Sequence, residues 1–442
     1  MDRLAHQLAR ALTPLQVAVV GAGWAGIAAA VHARRAGHAV QVFEMAPQPG
    51  GRARTVAVCG HALDNGQHIL IGAYSATLEL MGLVGADVPA RLRRMPLALQ
   101  YPDGQGLRLP GGAPTPAFLR GVLARRGWSW GERLSLLAHA TRWAARRFTC
   151  DALTSVGELC RDMPDALRRD LIEPLCVAAL NTPAEQASAQ VFLRVLHDAL
   201  FGGPGSADLL LPAAPLGALL PDPATVWFEA HDVDLHTGAR VVDLQAEGTV
   251  WRVDGQRFDA VVLACTATEA ARLSAGFAPQ WAELATELRY EPIVTVYLQA
   301  VGARLSLPML ALHVDAQAPA QFVFDLGALG HAPGVFAFVV SGAREWVDRG
   351  LPATGQATLQ QARSAFPSGT WPTEPSLLHV SAEKRATFQC SPGLRRPPAA
   401  IAPGLWAAGD YVAGPYPATL EGAVRAGRSA ARSLAALRPE AP

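Results

Sequence analysis

Short apolar runs punctuated by glycine and proline recur along the chain, and the first leads into its most informative turn. Val17-Ala18-Val19-Val20 is uninterrupted apolar sequence, the pattern of a strand buried on both faces. Gly21-Ala22-Gly23-Trp24-Ala25-Gly26 follows, then an Ala-rich stretch, Ile27 to Ala36, that predicts a helix. Gly37-His38 supplies a turn, and Ala39-Val40-Gln41-Val42-Phe43 predicts a second strand ending at Glu44. From Met81 to Leu210 the pattern is helical, rich in Leu, Ala and Arg, with a boundary at Pro204-Gly205-Ser206. A helical piece at Leu216–Leu220 precedes predicted strands at Val233–Leu235, Arg240–Leu244, Val250–Val253 and Phe258–Leu263. Strands mixed with one helix, Gln356–Ala365, are expected from about Ile293 to Leu378. The chain then passes through Gly404-Leu405-Trp406-Ala407-Ala408-Gly409-Asp410 into a small-residue helix ending near Leu437. At the other end, Met1–Pro14 reads as a short amphipathic helix with Leu4, Leu8 and Leu12 on one face.

This order predicts an α/β protein: a discontinuous Rossmann-like nucleotide domain with a mixed α+β substrate domain. The nucleotide domain takes residues 15–80, 211–290 and 379–438, and the substrate domain takes 81–210 and 291–378. With 442 residues, 50% of them hydrophobic, the chain can bury a large core and is not disordered. Cations and acids balance at 38 against 37, which excludes nucleic acid as a partner. No apolar run reaches the roughly 18 residues of a spanning helix, and the N-terminus lacks a continuous apolar core of a secretion signal. The expected location is therefore the cytoplasm, with the inner face of the membrane as an alternative. Six cysteines without CxxC spacing predict reduced thiols and no metal site.

The chemistry starts at the glycines. A strand, GxGxxG, a helix, a second strand and an acid 18 residues after Gly26 (44 − 26) make a dinucleotide-binding unit. Gly21, Gly23 and Gly26 let the backbone approach a pyrophosphate, with Trp24 and Ala25 at the helix start, whose N–H groups and dipole favour anions. Glu44 is placed to accept ribose hydroxyl hydrogen bonds. Pro49-Gly50-Gly51-Arg52 suits a loop against a phosphate with a guanidinium reaching it. One further stretch stands apart. Pro116 to Phe148 holds seven arginines, Arg120, Arg125, Arg126, Arg133, Arg142, Arg146 and Arg147, against the single acid Glu132. Trp128, Trp130 and Trp143 are interleaved among them, a composition suited to peripheral contact with an anionic bilayer.

Gly21-x-Gly23-x-x-Gly26, Glu44, Gly50-Gly51-Arg52 and Gly409-Asp410 together resemble the FAD-dependent amine oxidase and carotenoid desaturase superfamily over essentially the whole chain. The resemblance implies FAD as cofactor. It places Asp410 at the ribityl-pyrophosphate region, Thr419, Leu420 and Ala423 at a helix start facing the flavin ring, and the backbone of Val242 at the adenine. Within the superfamily, Asp64-Asn65-Gly66-Gln67-His68-Ile69-Leu70-Ile71-Gly72-Ala73-Tyr74, Glu173-Pro174-Leu175-Cys176 with Ala179-Leu180-Asn181-Thr182-Pro183, Lys384-Arg385-Ala386-Thr387-Phe388 and Pro417-Ala418-Thr419-Leu420-Glu421-Gly422-Ala423 resemble the squalene-associated branch, the hydroxysqualene dehydroxylases. One departure is His231-Asp232, where that branch usually carries glycine. The implied reaction is loss of an allylic hydroxyl as water and hydride delivery from reduced flavin to a long-chain isoprenoid. His68 with Asp64 is the expected acid, and Glu421 is the runner-up. Gly66 and Gln67 are expected beside the cofactor. Lys384, the only lysine, marks the amine oxidase alternative, since those enzymes place a lysine near the flavin. A polyene desaturase is the other enzymatic alternative, and a non-catalytic prenyl-lipid carrier is disfavoured by the intact cofactor motifs. A single Rossmann fingerprint implies that electrons come from an external donor.

Overall fold

The structure, a computed structural model, describes residues 14–437; the amphipathic segment expected at the N-terminus falls almost entirely outside them. The elements that position the site are, in chain order, β1 (Gln16–Val20), α1 (Trp24–Arg35), β2 (Ala39–Glu44), α2 (Ser75–Leu83), α3 (Pro114–Ala124), α4 (Trp130–Ala145), α5 (Glu173–Leu180) and α6 (Ala189–Phe201). They continue with β3 (Val233–Thr237), β4 (Ala260–Leu263), β5 (Tyr290–Gln299), β6 (Met309–Ala311), β7 (Phe322–Asp325) and β8 (Val335–Val340). The last are β9 (Ser376–Phe388), β10 (Ala400–Ala402), β11 (Leu405–Ala407) and α7 (Leu420–Ser433).

One sheet has the order β3-β2-β1-β4-β11-β10, parallel except for β10. Its central strands β1, from Val17 on, and β4 are apolar because both faces are covered: every residue of β4 is buried, and α1 packs with α7. Strands of this sheet come from three separated stretches of chain, so the turn after β1 lies beside segments 240 and 390 residues later (263 − 21 is about 240; 409 − 21 is about 390).

A second sheet, antiparallel with order β6-β7-β8-β5-β9, separates two cores. Strand alternation sends Val294, Val296, Phe336 and Phe338 to one face, under the helix Leu351–Ser364. Tyr297, Met309, Phe322, Phe324, Ala337 and Val339 go to the other face, which joins the core of the helical segment.

Four details differ from the expected pattern. Residues 240–243 form no strand; the ladder begins at Leu244. The stretch expected as one strand, Phe258–Leu263, is split at Asp259. The largely helical stretch also carries Leu92–Met95, which pairs with Leu209–Pro212. The single helix expected at Gln356–Ala365 is Leu351–Ser364 and is preceded by short helices at Leu326–Leu329 and Arg344–Arg349. At the family departure, Asp232 takes φ 53° and Arg34 bonds His231 O and Asp232, so aspartate holds the left-handed turn that glycine usually supplies.

Candidate functional site

The glycines of the first turn divide by what a Cβ would meet. At Gly21, with φ +106°, it would lie 2.7 Å from Ala264 O, and at Gly26 1.8 Å from Gly21 O. Those two let strand, turn and helix pack. At Gly23 a Cβ would meet only Gly51 Cα, at 3.8 Å, so it would enter the cleft. Gly23 pairs with Gly50 as an isolated bridge, and Trp24 Nε1 donates to Ala53 O at 3.1 Å, so the second glycine loop is stitched against the first. The first turn of α1 contains no acid, and its N–H groups have no partners within the helix. The space left by Gly23 and Gly51, faced by a helix N-terminus, fits a pyrophosphate. Glu44 is buried beside it. Its Oε2 accepts from Ala22 N–H at 2.7 Å and its Oε1 from Ala46 N–H at 2.8 Å, leaving lone pairs for ribose hydroxyls.

Arg52 is engaged within the protein. Its Nη2 lies 2.6 Å from Asp410 Oδ1, and its Nη1 donates to Ala386 O at 2.7 Å and Arg385 O at 3.2 Å. Those carbonyls belong to a bulge in β9, where Glu291 pairs with Thr387 and Ile293 already with Glu383. The guanidinium expected at a phosphate instead fixes Asp410 against the bulge. Lys384, in the same bulge, is exposed and has no ion pair among the described residues.

The expected acids are redistributed. His68 Nδ1 and Gly66 O are 2.8 Å apart, a bond that leaves Nε2 as an acceptor when the ring is neutral. Burial, reinforced by the charge of Arg52, holds this imidazole below its usual pKa. No carboxylate raises it: Asp64 Oδ1 accepts instead from Leu216 N–H at 2.8 Å and Thr55 Oγ1–H at 3.3 Å. Burial pushes Asp64 up to about 7. The His68–Asp64 acid pair is therefore not formed. Glu421 is buried and caps α2, accepting from Ala76 N–H, Thr77 N–H and Thr77 Oγ1–H at 2.8–3.1 Å, with Arg425 Nε at 2.7 Å. Glu421→Ala should cost roughly 3 kcal/mol of stability, because it strips a buried helix start and an arginine of their acceptor. Turnover per bound flavin should persist; its loss in thermally intact protein would return Glu421 to the chemistry.

Val242 is also corrected. It is 69% exposed in a loop; its N–H donates to Asp254 Oδ1 at 3.0 Å and its C=O accepts from Arg272 Nη1 at 2.8 Å, so neither group is held ready for adenine. Thr419 caps α7 by accepting from Gly422 N–H at 3.1 Å, and Ala423 N–H bonds Thr419 O, which leaves the N–H groups at Leu420 facing outward from the helix start. Gly409 is buried, with the Tyr411 ring folded across it.

Among the described residues, eight buried side-chain nitrogen and oxygen atoms lack a hydrogen-bond partner, and three of them belong to the segments around this site: Gln67 Nε2, Thr295 Oγ1 and Tyr411 Oη. Gly66 adjoins Thr295, while Tyr411 lies within the field of Arg52, Asp410 and Tyr290. Buried donors without acceptors are costly, so this cluster fits the polar edge of a bound cofactor. Sequence reasoning missed Thr295 and Tyr411. The signals were a hydroxyl at an inward position of β5 and the residue next to Gly409-Asp410. Beyond the cluster, the inner sheet face of Met309, Phe322, Phe324 and Val339 is wholly apolar. Asn181, in left-handed conformation, ties the helical segment to this sheet through Glu291 O, Thr387 Oγ1 and Gly342 N–H.

Known proteins share this architecture. A family model described as flavin containing amine oxidoreductase matches residues 24–435. The chain is 28% identical to a hydroxysqualene dehydroxylase of Rhodopseudomonas palustris, covering 94% of this chain and 97% of that one. It is 24% identical to a 15-cis-phytoene desaturase of Capsicum annuum, over 96% and 78% of the two chains. Among solved structures, an oxidoreductase from Methanosarcina mazei superposes with TM-score 0.72 at 17% identity, over 94% and 99% of the chains. The cofactor of the fold is FAD.

Proposed function

We propose, because the chain belongs to the flavin containing amine oxidoreductase family, that this FAD-dependent oxidoreductase removes the hydroxyl of hydroxysqualene to give squalene. The observation that carries this reading is the match to a hydroxysqualene dehydroxylase over nearly the full length of both chains. The inner face of the second sheet is apolar, as a hydrocarbon substrate requires, and because it is packed on the helical segment such a substrate enters by parting the two. In the reaction the allylic C–O bond breaks, a proton leaves with the hydroxyl as water, and a hydride replaces the oxygen on carbon. Reduced FAD supplies that hydride when bound. The chain's own part is to hold the dinucleotide on the turns at Gly23 and Gly51 and the helix start at Thr419. Gln67, Thr295 and Tyr411 offer their unpaired polar atoms to its edge, and the substrate lies against the sheet. His68, neutral at pH 7, offers an acceptor there, not a proton. Electrons reach the flavin from an external donor.

The test is an anaerobic single turnover in deuterated water with chemically reduced enzyme, so that the flavin N5 carries deuterium that cannot wash out. One deuterium is expected on the carbon that bore oxygen. Unlabelled squalene, or dehydrogenation of polyenes in place of dehydroxylation, overturns the proposal. The second outcome would favour the desaturase reading, which the phytoene desaturase match and the same apolar face also suit.

A further inference from the structure

The outward faces of α3 and α4 carry apolar residues where a solvated helix carries polar ones. On α4, Trp130, Leu134, Ala138, Thr141 and Ala145 recur at the helical period, all exposed, with Trp130 at 66% and Leu134 at 61%. The buried stripe of the same helix is Leu136, His139 and Trp143. On α3, Pro116, Leu119 and Leu123 are exposed opposite the buried Ala117, Gly121 and Val122. The two helices pack together, and the exposed Phe201 adjoins them, since Thr115 Oγ1 donates to Leu200 O.

The charge that Pro116–Phe148 brings to this face is almost all of one sign. Arg120, Arg126, Arg142, Arg146 and Arg147 are exposed. Arg125 is buried on Gln105 and Trp128, and Arg133 donates to Arg125 O, so these two hold the loop between the helices. The only acid of Pro116–Phe148, Glu132, is locked in a capping box with Ser129. Trp128 and Trp143 are in the core, which corrects the expectation of three interfacial tryptophans and leaves Trp130.

We propose that this face seats the protein on an anionic phospholipid bilayer, with Leu119, Leu123, Trp130 and Leu134 entering the headgroup–acyl boundary and the exposed arginines pairing with phosphates. An apolar stripe rimmed by cations is what such a surface binds. A second copy of the chain fits poorly, because a two-fold contact would bring the arginine rims together. Among the described residues no helix is long and apolar enough to cross a membrane, so the contact is peripheral. The inference does not depend on which lipid is the substrate.

The test is co-sedimentation of the FAD-bound protein with phosphatidylglycerol or phosphatidylcholine vesicles. Binding to the first and little to the second is expected. Trp130→Ser with Leu134→Ser, and separately Arg120→Glu with Arg126→Glu, should each cut the bound fraction at limiting lipid about tenfold or more. Retained flavin absorbance shows that the variants are folded. Equal sedimentation with both vesicle types, unchanged binding of both variants, or self-association through this face without vesicle binding overturns the proposal.

Discussion

Gly23→Val should give a colourless protein that keeps its fold. A Cβ at this position meets only Gly51 Cα within 4 Å, at 3.8 Å, so the branch point of the new side chain fits without moving the sheet or α1. The side chain instead fills the space between the two glycine turns and closes the first-turn N–H groups of α1 to phosphate. Binding of FAD should weaken by roughly a thousandfold or more, about 4 kcal/mol, so that no flavin survives gel filtration. Gly26→Ala is the contrast. Its Cβ would sit 1.8 Å from Gly21 O, so that variant should lose solubility or thermal stability as well as colour. Circular dichroism and flavin absorbance separate the two. A yellow Gly23→Val protein would show that the cofactor does not lie between these turns.

That contrast shows which parts of the site the sequence could carry. The unit from Val17 to Glu44 was legible because its contacts are local: strand, glycine turn, helix and acid lie within one stretch, and each residue type has one physical reason to be there. The partners of Arg52, Asp64 and Glu421 were not. Arg52 finds its carbonyl acceptor 334 residues away, Asp64 its N–H donor 152 away, and Glu421 its helix start 344 away. A motif marks such a residue as constrained without saying what constrains it, so carboxylates that cap helices read as acids for catalysis. Val242 failed for another reason. Arg240–Leu244 has strand-like composition, but the Asp254 carboxylate and the Arg272 guanidinium take its backbone groups before a ladder can. In Pro116–Phe148 the arginines and tryptophans could be counted, yet only helix phase tells Trp130, outside, from Trp143, inside.

Asp64→Asn should stabilise the protein at pH 8 and change little at pH 4. Asp64 is buried, and although Leu216 N–H and Thr55 Oγ1–H favour its charged form, loss of water dominates and raises its pKa from 3.8 to about 7. In the unfolded chain it titrates near 4. The folded state therefore binds the proton more tightly, and stability falls as pH rises from about 4 to about 7. The loss levels off above that window at roughly 4 kcal/mol. Asparagine keeps an oxygen for both donors but carries no charge at any pH. The difference in unfolding free energy between variant and wild type should thus be near zero at pH 4, grow through pH 7 and plateau. A flat difference, or one that grows toward acid, would mean that the carboxylate is better solvated or better paired than its position beneath Leu216 indicates. The same variant also tests the chemistry. If Asp64 delivered the proton that leaves with the hydroxyl, turnover would collapse in a protein that had become more stable; a side chain bound to Leu216 and Thr55, away from His68, should leave turnover largely intact.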